Sequence, residues 1–317
     1  MKIIYAGSPE AACTTLKLLY DAQSEYGFEI AGVLSNPPSA KGRHSDLIPT
    51  PVAAFAAEKG IPVFTPEHLD GSARDAISPL GADLLVCFAY GHIFGPKFLE
   101  MFPMGGINLH PSLLPKYRGC TPVPAAILNR DSQTAVTIQT LGLKMDEGDI
   151  LAQTVVDLNG TETGESLLNY AAEEGAKLIC QVIKACDNGK LPSGNPQSGE
   201  ASYTGIITKE DGKINWQESA AVIDAKIRAY YPEPGCWTLE KEQTLRILAA
   251  KIFLGDEAEY AAAKPGTVVA FVKSEGILIK TGEGILAVKE LQRQGKKIMN
   301  YKDFMNGARD FIGSVLQ

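Results

Sequence analysis

Asn108-Leu109-His110-Pro111-Ser112-Leu113-Leu114-Pro115-Lys116-Tyr117-Arg118-Gly119 follows a short apolar approach, Gly106-Ile107, that reads as the end of a strand. An amide, an imidazole, a hydroxyl, two prolines and two cations fall within these twelve residues. The rigid, donor-free prolines exclude a helix interior. The stretch therefore reads as a stiff polar loop closing a strand, which is where open α/β sheets place their chemistry.

The sequence on either side supports such a sheet. Residues 2–6 form a short apolar run closed by Gly7. Ser8-Pro9-Glu10 then predicts a helix start, with Ser8 as N-cap and Pro9 in the first helical position, and a helix reaching about Tyr20. Residues 28–34 form a second strand, so the chain opens strand–helix–strand, the pattern of a parallel sheet. No G-x-G-x-x-G follows the first strand, which disfavours a dinucleotide site without excluding a doubly wound relative. Residues 35–50 make a long polar loop with Lys41, Arg43 and His44 near its tip. A helix from Pro51 to Gly60, a short strand at 61–64 and a central strand at 84–89 follow, the last ending in the turn Tyr90-Gly91-His92-Ile93. Further strands at 135–140 and 150–156 flank an acidic turn, Gly142 to Asp149. Apolar spacing predicts a long helix from Glu162 to about Cys186.

Composition shifts at 187–202, which is rich in Gly, Pro, Ser and Asn. This predicts a first domain over 1–188, a linker over 189–205 and a second domain over 206–317. Beyond the linker, Trp216 to Tyr230 reads as a helix. Short Gly-punctuated runs at 244–247, 266–271, 276–279 and 284–288 predict a small β-barrel, with a last helix near 301–312.

The formal net charge is −7, which argues against a surface coated for non-specific nucleic-acid binding. Residues 206–317 nevertheless hold 16 Lys/Arg against 15 Asp/Glu, so the negative excess lies before them. Within them Lys289, Arg293, Lys296, Lys297 and Lys302 form a local basic patch. No apolar run is long enough to span a membrane, and the N-terminal run is too short for a secretion signal, so a cytoplasmic protein is expected. The six cysteines are scattered without a CxxC pair, which disfavours disulfides and zinc; Cys120, beside the polar loop, reads as a space-filler.

Asn108 and His110 are two apart, so in an extended segment both side chains project from one side. The amide offers an uncharged donor, and the imidazole exchanges a proton near neutral pH. An aspartate such as Asp146 would fix the imidazole tautomer and favour its protonated form. Together these groups suit attack on a carbonyl. A Ser112–His110 hydrolase dyad ranks lower, because no G-x-S-x-G elbow surrounds Ser112. A metal site from His110, Asp146 and Asp149 ranks lower still, so none is expected.

The stretch Asn108–Gly119 resembles the signature of the 10-formyltetrahydrofolate-dependent formyltransferases. Met145-Asp146-Glu147-Gly148-Asp149-Ile150-Leu151 is similar to that family's second motif. Ala6–Glu10, Pro49–Val52, Glu58–Phe64, Lys213–Trp216, Ile227–Ala229, Lys264–Thr267 and Gly295–Lys297 resemble the branch that formylates methionyl initiator tRNA. The resemblance implies a Rossmann-like doubly wound, mostly parallel sheet followed by an OB-like β-barrel that binds tRNA. It implies catalytic roles for Asn108, His110 and Asp146. It further implies folate contacts from Ser112, Leu113, Leu114 and Pro115, with Phe88, Ala89, Tyr90 and Gly91 walling the pterin. Lys41, Arg43, Arg293, Lys296, Lys297 and Lys302 would meet tRNA phosphates, while Lys116 and Arg118 would face those phosphates or only water. The donor would be 10-formyltetrahydrofolate, the acceptor initiator methionyl-tRNA, and the enzyme a cytoplasmic monomer without a metal. Cys120-Thr121-Pro122-Val123-Pro124 departs from the family's usual small residues there. Two alternatives therefore stand beside it: a formyltransferase acting on an amino-sugar nucleotide, and a non-catalytic folate- or RNA-binding module.

Overall fold

The structure is a computed structural model and describes residues 1–40 and 46–317. Two compact units are present. Met1–Pro122, Gln133–Asp157 and Leu168–Gly205 make up the first; Val123–Ser132, Leu158–Leu167 and Ile206–Gln317 make up the second.

The chain opens with β1 (Lys2–Ala6), α1 (Glu10–Tyr26), β2 (Glu29–Leu34), β3 (Ser39–Ala40), β4 (Leu47–Ile48), α2 (Pro51–Glu58) and β5 (Val63–Phe64). It continues through α3 (Gly71–Ile77), β6 (Leu84–Cys87), α4 (Pro96–Leu99), β7 (Gly106–His110), β8 (Arg118–Gly119) and α5 (Pro122–Leu128). After these come β9 (Gln133–Thr140), β10 (Ile150–Asp157), α6 (Gly164–Lys184) and β11 (Tyr203–Thr204). The main sheet has the order β10-β9-β7-β6-β1-β2-β5. The ladders from β7 to β5 are parallel, whereas β9 and β10 add antiparallel at one side. This is the mostly parallel, doubly wound sheet that the strand–helix–strand opening predicted.

Strand alternation explains how both faces of the sheet are covered. Ile3, Tyr5, Leu84, Val86, Ile107 and Leu109 enter one core with the buried side of α1 and α6. Ile4, Ala6, Leu85 and Cys87 enter the other, beneath Tyr90, Phe94, Phe98 and Phe102. Because Ile107 and Leu109 face the first core, Asn108 and His110 are turned to the opposite face.

Several local expectations change. Pro9, not Ser8, caps α1, and the Ser8 hydroxyl instead accepts from the Asn36 amide at 3.1 Å. The helix runs past Tyr20 to Tyr26, because its polar residues tolerate helix and it stops only at Gly27 in the left-handed conformation (φ 68°). Asn108 to His110 belong to β7 itself, so the polar loop starts at Pro111. In the stretch 35–50, β3 and β4 pair antiparallel. The stretch 189–205, expected as a linker, lies within the first unit. Its Gly/Pro/Ser composition reflects irregular backbone rather than slack.

The second unit holds α7 (Ala220–Ala229), β12 (Cys236–Glu240), β13 (Gln243–Ile252), β14 (Val268–Val272), β15 (Gly276–Lys280), β16 (Ile285–Arg293), β17 (Met299–Asn300) and α8 (Tyr301–Gly307). Its antiparallel sheet runs β12-β13-β16-β15-β14, with β17 on β16. This is the β-rich second domain expected from the short runs, with β12 as a strand that the sequence reading missed. The helix α7 begins at Ala220, where the Ser219 hydroxyl caps the Val222 amide. Trp216 precedes it as a buried side chain whose indole donates to Thr238 Oγ1 at 2.9 Å. The last helix ends at Gly307, short of the expected Ile312.

Candidate active site

Asn108 pairs with Gln139 and His110 with Thr137 across the β7–β9 ladder. Directly opposed residues share a face, so Asn108, His110 and Gln139 converge at the end of the parallel sheet. Because β6 and β7 run parallel with Cys87 opposite Asn108, the turn after β6 lies at the same end.

His110 is 4 % exposed. Its Nε2 lies 2.9 Å from the Tyr117 carbonyl oxygen. A carbonyl can only accept, so Nε2 carries the hydrogen and the neutral ring keeps its lone pair on Nδ1. That nitrogen lies 3.6 Å from Asp146 Oδ1, too far for a hydrogen bond but close enough to attract an imidazolium. Burial holds the His110 pKa below the ordinary imidazole value, against the pull of the Asp146 charge and the Tyr117 carbonyl. The expectation that Asp146 fixes the tautomer is thus corrected: the Tyr117 carbonyl does so, and Asp146 acts on the charge.

The Asp146 backbone is left-handed (φ 54°), an uncommon state for a non-glycine residue. Its turn is compact because Gly148 lies against the Thr140 carbonyl, where any Cβ would collide. Gln139 Nε2 donates to Oδ1 at 2.8 Å and the Gly119 amide to Oδ2 at 2.8 Å. The Asn108 amide also points at Oδ1, at 3.4 Å. With one amide hydrogen turned to the carboxylate, Asn108 has a second to offer. The thiol of Cys87 and the hydroxyl of Tyr90 are each pushed up to about 12 by burial. Neither is an anion near neutral pH. Among the described residues no group of His, Cys, Asp and Glu side chains is placed to hold a metal ion.

The first 183 residues match the family model described as "Formyl transferase", and residues 206–309 match "Formyl transferase, C-terminal domain". The chain belongs to the formyl transferase family. It is 43 % identical to the methionyl-tRNA formyltransferase of Treponema denticola, over 98 % of each chain. Among solved structures it resembles HypX from Aquifex aeolicus, with a TM-score of 0.68 at 15 % identity, covering 98 % of this chain and 50 % of that one. The chain thus spans about half the length of HypX. It also resembles the methionyl-tRNA formyltransferase of Clostridium thermocellum, with a TM-score of 0.57 at 16 % identity, covering 81 % of this chain and 95 % of that one.

In this formyl transferase the expected trio comes together, while the other expected residues fare differently. Ser112 is fully buried, and its hydroxyl donates to the Lys116 carbonyl at 2.7 Å. Phe88, Tyr90, Leu114 and Pro115 are buried as well. Of the residues expected to contact a folate, Ala89 and Gly91 are exposed and Leu113 is half-exposed. Tyr90 stacks on Phe94 at 5.6 Å between ring centres.

Arg118, expected to face phosphates or water, is largely buried among protein partners. It pairs with Glu147 at 3.1 Å, donates to Gln197 Oε1 at 2.8 and 3.1 Å, and reaches the Tyr203 hydroxyl at 2.8 Å. Cys120 is exposed, so it fills no space in a core. Arg293 leaves the expected phosphate patch, because Glu240 takes its guanidinium through two contacts at 2.6 and 2.7 Å. Lys296, Lys297 and Lys302 are exposed. Lys41 and Arg43 lie outside the described residues.

Sequence reading missed Gln139, the Tyr117 carbonyl and Gln197 in this formyl transferase. Gln139 carried a signal: a long amide side chain in an alternating strand of Thr, Ala, Val and Ile, 1 % exposed in the structure. A backbone carbonyl carries none.

Proposed function

We propose that this enzyme transfers the formyl group of 10-formyltetrahydrofolate to the α-amino group of methionyl initiator tRNA. The observation that carries the chemistry is the pairing of two acceptors, His110 Nδ1 and Asp146 Oδ1, 3.6 Å apart. A single amine nitrogen has hydrogens for both. Such an amine would be held and aimed, with Nδ1 in place to take its proton.

The steps follow from these groups. The amine nitrogen bonds to the formyl carbon, and the carbonyl π pair moves onto oxygen. The free hydrogen of the Asn108 amide stabilises that oxygen as charge develops. His110 Nδ1 accepts the amine proton, and Asp146 stabilises the imidazolium. The carbonyl re-forms as the bond from carbon to the folate nitrogen breaks, and that nitrogen takes the proton. Formyl-methionyl-tRNA and tetrahydrofolate leave. Ala89, Gly91 and Leu113 meet the folate in this reading, backed by Phe88, Tyr90, Ser112, Leu114 and Pro115. Residues 1–188 perform the transfer, and 206–317 bind the acceptor through Lys296, Lys297 and Lys302.

The choice of acceptor rests on the near full-length likeness to the Treponema denticola enzyme. The test offers the enzyme radiolabelled 10-formyltetrahydrofolate with methionyl initiator tRNA and, separately, with an amino-sugar nucleotide. Label is expected in the tRNA alone; label in the sugar, or in neither, would overturn the assignment.

A further inference from the structure

The segment after α6 is bound to the site on both of its sides. Asn195 exchanges two backbone hydrogen bonds with Ile150, at 2.8 and 2.9 Å, just past the Asp146 turn. Ser202 accepts from the Tyr117 amide through Oγ at 2.9 Å and from the Arg118 amide through its carbonyl at 2.9 Å. Thr204 Oγ1 accepts from the Thr121 amide at 3.0 Å and donates to the Arg118 carbonyl at 3.1 Å.

Gln197 lies between these attachments. Its Nε2 donates to the carbonyls of Asp146 and Gly148, each at 2.8 Å, and approaches Gln139 Oε1 at 3.2 Å. Its Oε1 accepts from Arg118 Nε and Nη2. One side chain therefore joins three things. They are the left-handed turn carrying Asp146, the glutamine that orients its carboxylate, and the segment whose Tyr117 carbonyl and Gly119 amide hold His110 and Asp146.

We propose that Gln197 is a positioning residue for the transfer: it locks the Asp146 turn to the 117–119 segment, so that carboxylate and imidazole keep their mutual geometry. This rests on the roles given above to His110 and Asp146. A glutamine is suited to the place because it donates at one end and accepts at the other. A lysine could not receive Arg118, and a glutamate could not serve the carbonyls.

Two substitutions separate the two ends. Gln197→Glu keeps an acceptor for Arg118 and sets an acceptor-only group against the carbonyls of Asp146 and Gly148. Gln197→Ala removes both ends. Loss of alignment is expected to lower kcat by about 10- to 100-fold in each, with KM for the formyl donor within about threefold of wild type. Titration of His110 by NMR in the free protein supplies a readout that needs no substrate. In Gln197→Ala the His110 midpoint is expected to fall, because a displaced carboxylate supports the imidazolium less. Wild-type kcat in Gln197→Glu would overturn the proposal and leave only the Arg118 contact. A lower melting temperature in Gln197→Ala with kcat and the His110 midpoint unchanged would also overturn it, reducing the residue to scaffold. Should Gln197→Ala fail to fold, Gln197→Glu decides alone. Failure of the wild type to formylate methionyl-tRNA would sink the proposed function, whereas the His110 titration would still judge Gln197.

Discussion

Replacing Asp146 by Asn removes a charge while nearly preserving shape. At 3.6 Å from Nδ1, a full imidazolium and a carboxylate attract by on the order of 4 kcal/mol at an effective dielectric near 20. If the transition state carries the whole charge on His110, kcat falls by roughly 10³; if it carries half, by roughly 30-fold. The amide also cannot accept from both Gly119 and Gln139, which now each donate at 2.8 Å. One of those donors must then meet an NH₂ group, which adds about 1 kcal/mol of lost hydrogen bonding. The pH profile gives the sign. With His110 as the proposed proton acceptor, transfer needs its neutral form, so kcat/KM is expected to fall as pH drops through the His110 pKa, which burial already holds below the ordinary imidazole value. Removing the carboxylate disfavours the imidazolium further, so the acid limb moves to still lower pH. Formyl transfer to methionyl-tRNA, followed from pH 5 to 8, measures both effects. A kcat within about threefold of wild type together with an unmoved acid limb would mean that Asp146 does not act through His110.

Other perturbations report on separate parts of the molecule. Neutralising Lys296 and Lys297 together should raise KM for tRNA and reduce the slope of log affinity against log salt by roughly 1.5–2, with unchanged melting; an unchanged slope would return both to solvated surface. Arg293→Ala should leave that slope alone but cost about 1–2 kcal/mol in denaturant melts, because Glu240, 9 % exposed, loses a partner that is itself partly open to solvent. Gly148→Ala should destabilise by about 1–3 kcal/mol, since its Cβ meets the Thr140 carbonyl; wild-type stability would show that the Asp146 turn is not tightly packed.

The parallel sheet was legible because its strands are buried on both faces, as β1 is from Ile3 to Ala6. Asn108 and His110 were legible through their spacing, since a two-residue offset in a strand fixes a shared face. Their partner Asp146 was a weaker candidate that the resemblance strengthened, because an aspartate in a Gly-rich turn is usually a turn former. What stayed hidden depends on long-range backbone contacts. The Tyr117 carbonyl that sets the His110 tautomer has no signature in residue type. Gln197 sits in a stretch whose composition suggested a loose connector, yet it is pinned by partners more than 45 positions away in sequence. Arg293 misled for the opposite reason: a cation in a basic run looks free until the strand that supplies Glu240 folds beside it.

Single-turnover formylation of methionyl initiator tRNA, with both substrates saturating, tests the central assignment most directly when wild type is set beside Asn108→Ala and His110→Ala. The wild type is expected to formylate one tRNA per site. Each variant should slow that step by about 10²–10⁴ while binding the folate donor within about threefold of wild type. Transfer by either variant at the wild-type rate, or no transfer by the wild type, would contradict the roles assigned here to Asn108 and His110.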